Sequence, residues 1–113
     1  MAYFDDLSIC TYSDPEGTDL AVGWLSKDNP FPTGKTSYIF RLNLAWIVEH
    51  RLINQTKGFH TCDMCGESKG SSEIRITGKD GKIYASPSMI VHYVDDHFYK
   101  PPQEFIDAVL SMK

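Results

Sequence analysis

A small single-domain α+β fold is predicted for this 113-residue chain, and three observations predict it. Glu73-Ile74-Arg75-Ile76-Thr77 and Lys82-Ile83-Tyr84-Ala85 flank Gly78-Lys79-Asp80-Gly81, a strong hairpin signal. From Thr36 to about Ile53 the chain is rich in Leu, Ile, Phe and Trp without proline or glycine, a length that favours a helix over a strand. Near the carboxyl end Phe105, Ile106, Val109 and Leu110 recur at helical spacing on one face, with Glu104, Asp107 and Ser111 away from it.

Size and composition agree with that reading. A chain of this length buries roughly two-thirds of the surface its unfolded form exposes, so a core forms with a thin margin. An apolar fraction of 42% and a charged fraction of 23% are globular values and argue against disorder or a coiled coil. The net charge of −4 is uneven: residues 1–34 carry −5, 35–61 carry +3, 62–86 balance, and 87–113 carry −2. Phosphate binding rests on clustered Lys and Arg, and no such cluster stands out, which disfavours nucleic acid.

No apolar run approaches the ~20 residues that span a bilayer. Met1-Ala2-Tyr3-Phe4-Asp5-Asp6 has neither the basic start nor the apolar core of a signal peptide. Three cysteines make an odd number, which argues against a disulfide framework. The expected location is therefore the cytoplasm, without membrane contact. There a close cysteine pair reads as metal ligation or redox chemistry, and the Asn54-Gln55-Thr56 sequon is silent.

Taken in order, residues 1–34 are expected to be irregular with short strands, one within Tyr3–Tyr12 and one at Ala21-Val22-Gly23-Trp24-Leu25. Ser13-Asp14-Pro15-Glu16-Gly17 between them is a turn signal, and Asn29-Pro30-Phe31-Pro32-Thr33-Gly34 breaks regular structure. The segment 35–57 holds the long central helix, with Thr36 as its cap. Its apolar residues do not keep to one stripe: Phe40, Leu44, Ile47 and Val48 oppose Ile39, Leu42 and Trp46. Such a helix is buried on more than one side or covers a partner, although Phe40 to Leu44 also alternates like a strand. The segment 58–100 holds the cysteine pair, the hairpin and a helix. Ser86 reads as that helix's N-cap, with Pro87 at its first position. Pro101-Pro102 stops it and opens a last helix over 101–113, whose apolar face is expected to turn back toward Tyr93 and Val94.

The chemistry concentrates in two pairs. Cys62-Asp63-Met64-Cys65-Gly66 is a C-x-x-C followed by glycine, a spacing that lets two thiolates face one ion while the backbone turns beneath it. Twenty-six residues beyond Gly66 stand His92 and His97. Positions five apart on a helix differ by roughly 140°, so the last turn must loosen to aim both rings at one point. Paired histidines three to five apart are nonetheless usual in zinc sites. Knuckle, hairpin and helix in that order resemble a treble-clef arrangement, with one Zn2+ on Cys62, Cys65, His92 and His97.

Other readings compete. The C-x-x-C is open to a redox role, but a redox dithiol opens a helix after a strand. His92 and His97 can be ordinary histidines, and His60 is a rival ligand two residues before Cys62. His50 reads as structural and Cys10 as a small buried apolar residue. Four protein ligands leave no coordination position for water, which makes the zinc structural rather than catalytic. Gly34-Lys35-Thr36 resembles the end of a phosphate-binding loop, but its first glycine would fall at Asn29, and Pro30 and Pro32 remove amide donors. Asp95 and Asp96 read as solvent-facing acids, or one of them as the support of a histidine ligand.

The stretch from Tyr84-Ala85-Ser86-Pro87 through Met89-Ile90-Val91-His92-Tyr93-Val94-Asp95-Asp96-His97 is followed by Tyr99-Lys100-Pro101-Pro102-Gln103-Glu104-Phe105. It resembles the carboxyl half of a family of small bacterial zinc-binding proteins of uncharacterised function. Tyr3-Phe4-Asp5-Asp6-Leu7, Gly23-Trp24-Leu25 and the Cys62/Cys65 pair extend the resemblance over most of the chain. The resemblance implies the same four ligands and carries no activity. The expected function is thus a non-enzymatic zinc-binding domain with an adaptor or immunity-type role and a protein partner, a basic one given the acidic front. The alternatives are a nucleic-acid-binding finger using Lys69, Arg75, Lys79 and Lys82, and a small metalloenzyme with an open zinc.

Overall fold

The computed structural model describes residues 3–10, 18–26, 28–51, 60–62, 69–70, 72–78 and 80–111, with the backbone alone at 60, 61, 69 and 70. The elements are β1 (Leu20–Ala21), α1 (Tyr38–His50), β2 (His60–Thr61), β3 (Lys69–Gly70), β4 (Glu73–Thr77), β5 (Ile83–Pro87), α2 (Ile90–His97) and α3 (Gln103–Ser111). Among the described residues no helix is long and apolar enough to cross a membrane.

The expected hairpin forms. Gly81 takes φ 85°, the Gly78 amide donates to the Lys82 carbonyl at 2.8 Å, and the ladder runs from Thr77↔Ile83 to Glu73↔Pro87. β1 joins the other edge of β5 in parallel through Leu20↔Tyr84 and Ala21↔Ala85, giving the order β1-β5-β4. Side chains alternate across this sheet. Ile74, Ile76 and Tyr84 enter the main core with the helices, whereas Ala85 meets Cys10, Ala21 and Trp24 in a second, smaller cluster. The chain is thus α+β, as the sequence predicts. β2 and β3 form a separate two-stranded antiparallel ladder, His60↔Gly70 and Thr61↔Lys69.

Several local expectations shift. Ser86 and Pro87 end β5 instead of opening a helix: Glu73 still pairs with Pro87, and the Ser88 amide donates to the Ser72 carbonyl at 2.8 Å. α2 therefore starts at Ile90 behind Met89. The cap of α1 is Ser37 rather than Thr36, its hydroxyl accepting from the Phe40 amide at 3.1 Å. α1 ends at His50, short of the expected Ile53, with Arg51 as its non-helical C-cap at φ −131°; residues 52–57 and the expected turn at Ser13–Gly17 lie outside the described residues.

The front strands are shorter than expected. Residues 3–10 contribute the Ile9↔Leu20 bridge, and the Leu7 amide and the Ser8 carbonyl bond Ala21, each at 2.7 Å. β1 ends before Gly23 because that residue turns to φ +84°, and a Cβ there would stand 2.8 Å from Ile90 Cδ1. Gly23 is therefore where the sheet meets α2.

α3 buries Phe105, Ile106, Ala108 and Val109, while Leu110 stays half-exposed. Its principal neighbours are α1 and β4 rather than the expected Tyr93 and Val94 of α2. Phe105 is the pivot, standing edge-on to Tyr84 at 5.9 Å and to Phe40 at 6.5 Å between ring centroids. On α1, Phe40, Leu44 and Ile47 are buried, and Tyr38, Ile39, Leu42 and Trp46 are exposed.

Candidate metal centre

α2 carries both histidines, and its end has the loosened turn that their spacing requires. The amides of Phe98 and Tyr99 both donate to the Tyr93 carbonyl, five and six residues back. Phe98 sits in the left-handed region at φ 56°, a costly conformation for a bulky residue. The widened turn swings the two rings together: Nε2 of His92 lies 3.2 Å from Nε2 of His97, with the ring planes at 82°.

Cys62 comes from the other side. It follows β2 directly, is buried within the main core, and places Sγ 3.4 Å from the same Nε2 of His97. One ligand atom from each of Cys62, His92 and His97 lies within 4.8 Å of the others. A ring nitrogen has either one N–H or one lone pair. Hydrogen bonding at His97 Nε2 therefore suits one neighbour at a time, while two converge on it. A cation among the three satisfies all of them at once, so this cluster can hold a metal ion. Asp96 adds direction: its Oδ2 is 2.9 Å from His92 Nδ1. Accepting the Nδ1 hydrogen there leaves the Nε2 lone pair for the cluster. Asp95 is exposed and lines a separate hollow with Lys35, Thr36 and Phe98.

Cys65 and the side chain of His60 lie outside the described residues. His50 is the last residue of α1, its Nδ1 2.9 Å from the Trp46 carbonyl oxygen and its ring stacked on Trp46. Cys10 is buried in the smaller cluster.

A buttress that the sequence did not flag holds the end of α2 in place. The Tyr99 hydroxyl donates to Asp6 Oδ2 at 2.7 Å, and the Gly23 amide donates to Asp6 Oδ1 at 3.2 Å. Burial pushes the Asp6 carboxyl up, and these two donors partly offset it. Burial, then the Asp6 charge, pushes the Tyr99 phenol well above its usual range. Asp6 and Tyr99 are 93 residues apart, so no local pattern could announce the contact.

The cations of the nucleic-acid alternative are engaged where described. Arg75 meets Asp19 at 3.0 Å and the buried Glu73 at 2.9 Å, and Lys82 lies 3.6 Å from both Asp80 and Glu104. Lys79 and the side chain of Lys69 lie outside the described residues. Gly34-Lys35-Thr36 is a connecting loop: the Gly34 amide donates to the Phe98 carbonyl and the Thr36 carbonyl accepts from Arg41.

No curated protein and no solved structure matches the chain. Residues 2–110 match the family described as Domain of unknown function (DUF7919), and since that match covers nearly the whole chain, the chain belongs to this family.

Proposed function

We propose that this chain is a non-enzymatic zinc-binding domain whose ion is structural, held by Cys62, Cys65, His92 and His97, and that it acts through a protein partner. One observation carries the reading: Cys62 Sγ and His92 Nε2 both approach His97 Nε2, at 3.4 and 3.2 Å. Tetrahedral zinc with bonds of about 2.0–2.1 Å to nitrogen and about 2.3 Å to sulfur has edges of about 3.3 Å and about 3.5 Å. These two separations match those edges, and the third donor pair lies within 4.8 Å. Thiolate and imidazole donors in a tetrahedron also favour zinc over hard cations.

Cys65 completes the set through the C-x-x-C spacing, and the β2–β3 ladder on either side of the pair suits a treble-clef-like knuckle. Two thiolates and two imidazoles close the tetrahedron and leave no position for a substrate water. The ion then fastens the knuckle to α2, whose Ile90, Tyr93 and Val94 belong to the core. An adaptor or immunity-type role in a reducing cytoplasm follows, with the acidic front segment meeting a basic protein.

Metal analysis of the purified full chain and its variants tests this. About one zinc per chain is expected, lost in Cys62→Ser and Cys65→Ser, reduced in His92→Ala and His97→Ala, and retained in His60→Ala. Loss of metal in His60→Ala with retention in His97→Ala would exchange one ligand and give weight to an open, catalytic zinc instead.

A further inference from the structure

We propose that the hollow between the start of α1 and the end of α2 binds a free nucleoside phosphate, independently of the metal reading. The hollow has a volume of about 500 Å3, and Lys35, Thr36, Arg41, Asp95 and Phe98 stand in its lining. That size falls within the range of small-molecule pockets. Its two walls are fastened to each other. The Gly34 amide donates to the Phe98 carbonyl at 2.9 Å, the Lys100 amide donates to the Pro32 carbonyl at 3.0 Å, and Thr33 bridges Tyr99. These bonds hold the walls in place without a ligand.

The cations select an anion. Lys35 and Arg41 line the hollow, and Lys100 lies against Gly34 on its wall, with Cδ 3.1 Å from where a Cβ would stand. The three are scattered in the sequence, and the fold collects them. Among the described residues none of them has an ion-pair partner. Arg41 gives one N–H to the Thr36 carbonyl at 3.1 Å, which orients the guanidinium and leaves its other donors for phosphate oxygens. Arg75 and Lys82, by contrast, are held by carboxylates, so the described cations of the hairpin offer no basic track to a nucleic-acid strand.

Phe98 selects a ring. It is 65% exposed, at φ 56°. Neither core nor backbone calls for an aromatic residue there: the left-handed region suits glycine and, less well, Asn or Asp. Strain of this kind gathers at ligand sites. A phenyl face left open on the wall of a cationic hollow is a stacking platform for a base. Asp95 on the same wall repels a bare anion, whereas the ribose of a nucleotide brings hydroxyls that a carboxylate accepts. A nucleoside phosphate uses cations, ring and acceptor together; inorganic phosphate or an acyclic acid uses the cations alone.

Equilibrium dialysis of the full chain, as purified, against AMP tests the proposal. Saturable binding of about one AMP per chain is expected, with adenosine and inorganic phosphate each weaker by about 10-fold or more. Arg41→Gln should weaken AMP by about 10-fold through the lost phosphate contact. Phe98→Asn should weaken it by about the same factor through the lost stacking. Asn accepts the left-handed backbone, so this variant should keep the wild-type melting curve and metal content. Absence of saturable AMP binding into the millimolar range would overturn the proposal, as would AMP binding unaffected by both substitutions. Inorganic phosphate binding as tightly as AMP would overturn it in favour of a simple anion. An oligoadenylate binding more tightly than AMP would overturn it in favour of a nucleic-acid strand.

Discussion

The flank where α3 meets the sheet and the corner where Cys62 meets the end of α2 contribute to one core, yet different kinds of side chain meet in each. Along α3, Phe105, Ile106, Ala108 and Val109 are buried against α1 and β4, and many small dispersion contacts share the work. At the corner three polar ligand atoms from Cys62, His92 and His97 converge. Packing tolerates modest changes of shape and fails gradually. A set of ligand atoms holds nothing until an ion is present, and then it holds strongly. The difference predicts that the flank degrades in steps while the corner fails as a unit.

The largest effect should come from removing the metal. Structural zinc contributes about 10–16 kcal/mol of apparent binding free energy, against a net stability of about 5–15 kcal/mol for a whole domain. Chelation should therefore unfold the chain cooperatively, in both near- and far-ultraviolet circular dichroism. If treated protein keeps its melting curve, the corner is held by packing like the flank, and the contrast disappears.

Truncation after Lys100 comes next. It keeps every proposed ligand and removes Phe105, Ile106 and Val109, each worth about 1.5–3 kcal/mol when fully buried. The expected loss is several kcal/mol by urea denaturation, even with the metal bound. An unchanged urea midpoint would make α3 an appendage.

These two regions were not equally legible in the sequence. The β4–β5 hairpin reads from its turn residues because Gly78 and Gly81 act locally, within the turn itself. The histidine pair reads from spacing, and even the need for a loosened turn is legible, because 3.6 residues per turn is a fixed geometry. The start of α2 misleads: Ser86-Pro87 has the residues of a helix start, but pairing with Ile74 and Glu73 keeps both in β5. Nor is the docking partner of α3 legible, since an amphipathic face states that it will be buried and not by what. The Asp6–Tyr99 buttress has no local sequence signal at all.

That buttress ties the front segment to the end of α2 and should give a smaller effect. Tyr99→Phe removes one of two donors from the partly buried Asp6, at an expected cost of about 1–3 kcal/mol. The pH dependence follows. Because burial raises the Asp6 carboxyl in the fold, the unfolded chain releases this proton first, and stability falls as pH rises from the ordinary carboxylate value to the raised one. Without the Tyr99 donor the carboxyl rises further, so the same loss should extend to higher pH. Identical stability–pH curves between pH 4 and 8 would show that Tyr99 does not set the state of Asp6.

The smallest effect at neutral pH, and a visible one in alkali, concerns the phenols. Burial and the Glu104 carboxylate push the Tyr84 hydroxyl up to about 12. In the unfolded chain it ionises near pH ~10. Above that pH the unfolded state binds fewer protons than the folded one, so stability should fall between about pH 10 and pH 12. Tyr84→Phe should flatten this slope; an unchanged alkaline slope would place its origin elsewhere.

The central claim is that two thiolates and two imidazoles close a tetrahedron at the corner, and cobalt substitution tests it most directly. Co2+ in the full chain should give the intense visible bands of a tetrahedral ion, together with thiolate-to-metal charge transfer of two-sulfur intensity. Cys65→Ser, which should lose the metal, should abolish these bands. A weak octahedral spectrum, or a charge-transfer band that Cys65→Ser leaves unchanged, would contradict the account.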